Sequence, residues 1–298
     1  MKTSVDCLVC FVRQGLRVAR MYGCSETVQR EVVQELGRLL PQLDMEATPP
    51  ANSMPVYQTI NRIIGCKDPY FDVKRMENRR ALGRIETLRK EVRESTEPLR
   101  VACGYAIAGN IIDYGAFSQG MIEEALSSPD EFQYSLDHYQ QLEAAINELV
   151  EGDSVFYLAD NCGEIIYDSL LVELLAQKGL QVTVAVREDA IINDALLEDA
   201  QVAGLDRAAS LIRSGVVCPG SPLDQCSEEF KEHFFSADLV ISKGQGNFET
   251  LSEVNRDIFF LLTVKCNVVG KHLAEIAGVK ENVVAGKGEM VVYYSGGS

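Results

Sequence analysis

Tryptophan is absent, and histidine occurs only three times, at His138, His233 and His272. None of the three adjoins a Ser, Cys or Asp cluster, so a His-based nucleophilic triad has little support. No apolar run approaches the ~18 residues that a membrane span needs. Asp6 and Arg13 interrupt the apolar stretch near the N-terminus, so a cleaved export signal is not expected either. Basic runs are missing too. The chain carries 28 Lys and Arg against 44 Asp and Glu, a net charge of −16. That balance argues against a nucleic-acid footprint. The expectation is a cytoplasmic protein with no membrane and no nucleic-acid partner.

Some nucleotide and phosphate signatures are absent as well. There is no Gly-Lys-Ser/Thr of a Walker loop and no Gly-x-Gly-x-x-Gly. The Asp-x-Asp-x-Thr/Val start of phosphatases with an aspartyl nucleophile is not found. Nine cysteines without an export signal argue against a disulfide framework, leaving thiols, metal ligands or core packing.

What is present falls into two grammars. Residues 1–150 hold 17 basic and 21 acidic side chains, a balance of −4. Their apolar residues recur at helical spacing over Val5–Tyr22, Thr27–Leu40, Met54–Ile64, Val73–Val92 and Leu99–Ile112. Pro49-Pro50, Gly65 and Pro98 punctuate these stretches, and a further helix is predicted over Glu131–Val150. Residues 151–298 hold 11 basic and 23 acidic side chains, a balance of −12. Here β-rich runs, Ser154–Ala159, Gln181–Arg187, Leu239–Ser242, Phe259–Lys265 and Met290–Tyr294, alternate with helical ones at Ile165–Lys178, Ser227–Phe235 and Val269–Ala277. Such alternation predicts right-handed βαβ units. The expected fold is α/β: a Rossmann-like, mostly parallel sheet (151–298) with an N-terminal all-helical domain (1–150). No internal repeat or low-complexity segment is visible.

Ligands of open α/β sheets bind beyond the carboxyl ends of the strands. Asp160-Asn161-Cys162-Gly163-Glu164 follows the first strand directly, and Asn193-Asp194 lies one loop after the second. Asp and Asn are hard oxygen ligands suited to Mg²⁺, Mn²⁺ or Co²⁺, although each cluster could equally cap a helix. After Leu239–Ser242 comes Lys243-Gly244-Gln245-Gly246-Asn247-Phe248-Glu249. Its glycines allow backbone N–H groups to approach an anion, and Lys243 supplies a charge. In the helical half, Asp68-Pro69-Tyr70 with Lys74 reads as a helix start. Asn110 and Asp113 are polar residues in an apolar helix. Cys7 and Cys10 share a helix face, as structural thiols or as a second metal or redox pair.

Taken in order, six fragments resemble one family. They are Cys7-Leu-Val-Cys10 with Phe11 and Gln14, Asp68-Pro69-Tyr70, Gly109-Asn110-Ile111-Ile112-Asp113, Asp160-Asn161-x-Gly163-Glu164, Asn193-Asp194 and Lys243-Gly244-Gln245-Gly246-Asn247-Phe248-Glu249. The family is that long catalogued as domain of unknown function 89, now described as metal-dependent damage-control phosphatases. The Cys-x-x-Cys start resembles its stand-alone prokaryotic branch. The resemblance implies a hydrolase acting on phosphate monoesters of small, damaged or surplus metabolites by a metal-activated water. The cofactor it implies is a divalent ion (Mn, Co, Ni or Mg). It implies Asp160, Asn161 and Asp194 as catalytic metal ligands, and Lys243, Gly244, Gly246, Asn247 and Glu164 as substrate contacts. The eukaryotic branch has Lys-Gly-Asp where this chain has Lys243-Gly244-Gln245, so that branch's sugar-phosphate preference does not carry over on this motif. The residues alone leave two other readings open. One is an S-adenosylmethionine-dependent methyltransferase on the same kind of sheet. The other is a non-catalytic metal- or metabolite-binding protein using Cys7 and Cys10.

Overall fold

The computed structural model describes residues 1–109 and 132–296. Asn110 and Asp113 therefore lie outside the described residues. The chain opens with α1 (Val5–Met21), α2 (Glu26–Leu39), α3 (Pro49–Ile64), α4 (Phe71–Glu94) and α5 (Pro98–Gly109). After it come β1 (Leu136–Asp137), α6 (Tyr139–Glu148), β2 (Ser154–Leu158), α7 (Glu164–Gln177), β3 (Gln181–Val186) and α8 (Leu197–Val202). The chain then runs through β4 (Ser210–Arg213), α9 (Glu228–Ser236), β5 (Leu239–Lys243), α10 (Gly244–Leu251), β6 (Ile258–Val264), α11 (Asn267–Ala277) and β7 (Glu289–Ser295). Local chemistry sets several of these limits. The Ser25 and Ser227 hydroxyls accept from the backbone N–H of Val28 and Phe230, capping α2 and α9. Thr48 caps α3, whose first turn holds Pro49 and Pro50, where a missing N–H costs nothing.

Among the described residues the sheet has seven strands in the order β1-β7-β6-β5-β2-β3-β4. The strands β6, β5, β2, β3 and β4 run parallel; β7 is antiparallel to β6 and carries β1 beside it. The chain enters at β2, builds outward to β3 and β4, then crosses back to β5 on the other side of β2. The topological switch point therefore lies between β2 and β5.

The strands are buried on both faces, as parallel sheets require. Along β2, Val155 and Tyr157 face one core with α4, α5, α6 and α7, whereas Phe156 and Leu158 face the other with Phe230, Phe234, Phe248 and Leu273. A third core joins α1, α2 and α3 through Phe11, Val18, Leu36, Val56 and Ile60, and it includes Ile191 from the loop after β3. Composition changes near residue 150, but packing groups the chain differently: α4, α5 and α6 share their core with the sheet.

Some local expectations are corrected. The stretch Glu131–Val150 is not one helix. Ser135 and His138 bond to Met290 and Val292 of β7, so Leu136–Asp137 is a strand, and the Asp137 carboxylate accepts from Tyr139 N (2.9 Å) to start α6. Asn193-Asp194, read as a possible helix cap, does not adjoin a helix start: α8 begins at Leu197, where the Asp199 carboxylate accepts from Leu196 N. The short β4 was not anticipated.

On α10, Phe248 enters the sheet core while Glu249 is buried beside Gln245, whose side-chain amide donates to it (2.8 Å). Burial pushes the Glu249 carboxyl up to about 7, against the opposing pull of that bond. A carboxyl raised on folding stabilises the fold while protonated, and this contribution is lost as pH rises from the ordinary carboxylate range through about 7. Relative to Glu249→Gln, the wild type should lose about 3 kcal/mol of unfolding free energy over that window and none above it. Urea denaturation of both proteins at several pH values measures this.

Candidate active site

Three strand ends meet at the switch point. Ala159 N still bonds Ala185 O, continuing the β2 ladder, so the backbone is fixed up to Asp160. Across the pairing Leu158↔Ser242, the end of β5 brings Gly244 against Asp160. A Cβ at Gly244 would lie 1.9 Å from Asp160 Oδ2, and the residue has φ +77°. Both facts demand glycine. The loop after β3 is tied back onto β2: Ala195 N bonds Asp160 O (2.8 Å), Cys162 N bonds Asn193 O (2.9 Å), and Arg187 N bonds Ala195 O (3.1 Å). A β-bridge then sets Asn161 beside Asp194. Within this loop Ile192 is held at φ 47°, strained backbone for a β-branched side chain.

The side chains gathered here are mostly charged and mostly buried. Asn161 Nδ2 donates to Asp160 Oδ2 (2.7 Å) and to Glu164 Oε2 (3.0 Å), leaving the amide oxygen as the ligand atom it offers. Lys243 is fully buried; its Nζ donates to Glu164 Oε1 (2.5 Å), Asp168 Oδ1 (2.7 Å) and Ala106 O (2.9 Å). Tyr157 donates to the same Asp168 oxygen (2.8 Å). Arg187 donates through Nε to Asp194 Oδ2 (2.6 Å), and its Nη2 stands 3.6 Å from Asp160 Oδ1. Burial raises the Asp160 carboxyl well above the usual range, with Glu164 and Asp194 adding to the effect. Burial likewise pushes Asp168 up to about 7, against the attraction of Lys243.

Asp160, Asn161 and Asp194 are thus brought together, with Glu164 joined to them through Asn161. Lys243 and Asn247 are in the same cluster but act as struts. The three donors of Lys243 are all taken by Glu164, Asp168 and Ala106. Asn247 donates to Lys243 O and Ala159 O, and its oxygen accepts from Arg187 and Ser221. Gly246 serves close packing: a Cβ there would lie 1.7 Å from Pro219 O. Asp68 accepts from Tyr70 N and pairs with buried Lys74 (2.6 Å), fixing the start of α4. On α1, Cys10 is exposed and Cys7 half-buried, with Gln14 and Ser4 as respective partners. All nine cysteines are free thiols. Among the described residues no group of three or more His, Cys, Asp and Glu is disposed to hold a metal, so Cys7 and Cys10 gain no third such ligand.

Two basic residues were missed by sequence reasoning. Arg187 follows β3 directly and is buried between the two aspartates. Lys265 follows β6, is half-buried, receives the Gln245 side-chain oxygen at its backbone N–H, and its charge acts on Asp160. Their common signal was a basic residue closing a β-rich run.

The donor set fits a hard divalent cation. Asp160, Asn161 and Asp194 offer oxygen only. Four buried carboxylates, Asp160, Asp194, Glu164 and Asp168, outnumber the cationic side chains around them, buried Lys243 and Arg187 and half-buried Lys265, so the cluster has an excess of acidic groups. A dication offsets that surplus in a site where uncompensated charge is costly.

Residues 3–279 match the sequence model of the damage-control phosphatase ARMT1-like domain. A damage-control phosphatase of Pyrococcus horikoshii is 32% identical over 277 residues, covering 92% of this chain and 94% of its own. One from Archaeoglobus fulgidus is 30% identical over 288 residues, covering 93% and 97%. The crystal structure of a DUF89 family protein from P. horikoshii is similar with a TM-score of 0.86 at 30% identity, covering 99% of each chain. These matches favour neither a methyltransferase nor a non-catalytic binder, and metal dependence is generic to the family. With agreement of this extent along nearly the whole chain, the protein belongs to the damage-control phosphatase ARMT1-like family and is a phosphatase.

Proposed function

We propose that the chain hydrolyses phosphate monoesters of small, damaged metabolites at the switch point between β2 and β5, with Asp160, Asn161 and Asp194 holding one divalent cation. The observation that carries this reading is the convergence of those three oxygen donors, from the end of β2 and the loop after β3, in a buried cluster rich in carboxylates. A cation bound there would polarise a phosphoryl oxygen and lower the pKa of a coordinated water. The rest belongs to the chain's own side chains. Asn161 keeps Asp160 and Glu164 apart by donating to both. Lys243 neutralises Glu164 and Asp168 from beneath, so the carboxylates at the surface of the cluster are the ones left for the cation. Gly244 lets α10 start against Asp160 without displacing it. Lys265, at the end of the neighbouring strand and half-buried, is assigned the phosphate contact that the motif alone suggested for Lys243. The substrate is a small phosphorylated metabolite, and the metal is one of Mn, Co, Ni or Mg.

Asp194→Ala should weaken Mn²⁺ binding by more than roughly 100-fold, beyond the usual effect of residues that only orient ligands. Metal-dependent phosphate release from a panel of small phosphate esters should vanish with it. Calorimetry and circular dichroism on the same sample check the affinity and the fold. Wild-type Mn²⁺ affinity in the folded variant would remove Asp194 from the metal site.

The two lysines should separate cleanly. Lys265→Ala should lower kcat/KM by roughly ten- to hundred-fold, the value of one charge-assisted contact, with an unchanged melting temperature. Lys243→Ala leaves Glu164 and Asp168 buried and unpaired, so it should cost about 3–5 kcal/mol of stability. Steady-state kinetics and urea melts of both variants provide the comparison. A stable Lys243→Ala protein with impaired turnover would restore Lys243 as a direct phosphate contact.

A further inference from the structure

We propose that Arg187 binds the phosphoryl group of the substrate through Nη2, an inference that rests on the phosphatase reading above. Arg187 is 3% exposed. Its Nε donates to Asp194 Oδ2 at 2.6 Å, and its Nη1 donates to Asn247 Oδ1 at 3.0 Å and to Ser221 Oγ at 3.2 Å. These three bonds run to the loop after β3, to α10 and to the segment before α9. Because the guanidinium is planar, they fix its plane and hence the direction of the remaining nitrogen. Among the described residues Nη2 has no hydrogen-bond partner. It stands 3.6 Å from Asp160 Oδ1, within ion-pair range but too far for a hydrogen bond.

A purely structural arginine between two aspartates has a better arrangement available. Arg and carboxylate pair in a fork, two parallel N–H···O bonds on one face of the guanidinium. Arg187 spends Nε alone on Asp194 and turns Nη2 toward Asp160, with both its hydrogens unused. A buried donor without a partner is costly, and the great majority of such groups are satisfied in folded proteins. An acceptor for Nη2 would approach beside Asp160 and the set assigned to the cation. An oxyanion is the ligand that fits. It would bring an acceptor to Nη2 and negative charge to a cation plus guanidinium, where a neutral ligand would bring only the acceptor. A phosphoryl group has non-bridging oxygens enough to meet both. Nothing else in the described site offers an unused buried cationic donor, because Nζ of Lys243 is saturated.

The test uses the Mn²⁺-loaded full chain, with inorganic phosphate as the probe and calorimetry as the readout. Arg187→Lys and Arg187→Gln should bind phosphate roughly ten- to hundred-fold more weakly than wild type, as expected for loss of a charge-assisted bond. Arg187→Lys keeps a cation beside Asp194, so its Mn²⁺ affinity should stay within about threefold of wild type. Unchanged phosphate affinity would overturn the proposal. So would an Mn²⁺ affinity that falls by the same factor as phosphate affinity, since Arg187 would then act only through Asp194. If the variants do not fold, crystals of wild type with Mn²⁺ and orthovanadate decide. A vanadate oxygen within about 3.2 Å of Nη2 supports the assignment, and a water there in its place overturns it. Wild-type phosphate release with unaltered phosphate binding in the variants removes Arg187 alone. Absence of both release and phosphate binding in wild type removes the underlying reading, and this inference with it.

Discussion

Like charge buried at the end of a sheet is the constraint around which this fold is arranged. Asp160, Glu164, Asp168 and Asp194 come from one strand end, one helix and one loop, and all are nearly or fully buried. Carboxylates so placed repel one another and lose their hydration, so each needs a partner of opposite charge or a proton. The chain supplies Lys243 below, Arg187 beside them and half-buried Lys265, whose charge acts on Asp160. The result is a cluster that is held together yet remains rich in acidic groups. Such a cluster suits a bound cation, which would offset its negative charge and lessen the repulsion of a phosphoryl oxyanion.

The helical layers are part of this arrangement rather than an accessory to it. Asn78 on α4 accepts from Gly163 N and donates to Asp199, so one side chain joins the start of α7 to the start of α8. Ala106 on α5 gives its carbonyl to Lys243. Glu164 and Asp168 project from α7, which is buried on all sides because α4 and α5 cover the side opposite the sheet. A cut at residue 150 would strip α7 of that cover and Lys243 of one bond. Proposing two domains divided there is sound for composition, whereas the cores make the sheet and α4–α6 one packing unit and leave α1–α3 with a core of their own.

The main parallel strands and the oxygen donors after them were legible in the sequence for a simple reason. A β-rich run followed at once by Asp-Asn, and another followed within a loop by Asn-Asp, are local patterns, and the carboxyl ends of parallel strands face one way. The paired glycines after β5 were legible too, though only the structure says why: one faces a carboxylate and the other a carbonyl. The role of Lys243 was not legible. Whether a lysine at the end of a strand points to solvent or beneath its neighbours depends on α5 and α7, whose contacting residues lie 137 and 79 positions away along the chain. Arg187 was hidden for a related cause, since its meaning lies in contacts with Asp194, Ser221 and Asn247. The Asp137 cap was missed because a two-residue strand carries no periodicity to detect.

Gln245 shows how a single position in the glycine-rich turn connects these levels. Its amide nitrogen donates to Glu249, and its oxygen accepts from the backbone of Lys265. It therefore braces the end of β6, and with it the half-buried lysine assigned to phosphate, against the first turn of α10. An aspartate, as in the Lys-Gly-Asp of the eukaryotic branch, has no hydrogen to give Glu249 and is one methylene shorter. It would also add an acidic group to a cluster already rich in carboxylates. The amide here keeps the brace neutral and bidirectional. On physical grounds, then, this position shapes how Lys265 is presented and how much negative charge surrounds it.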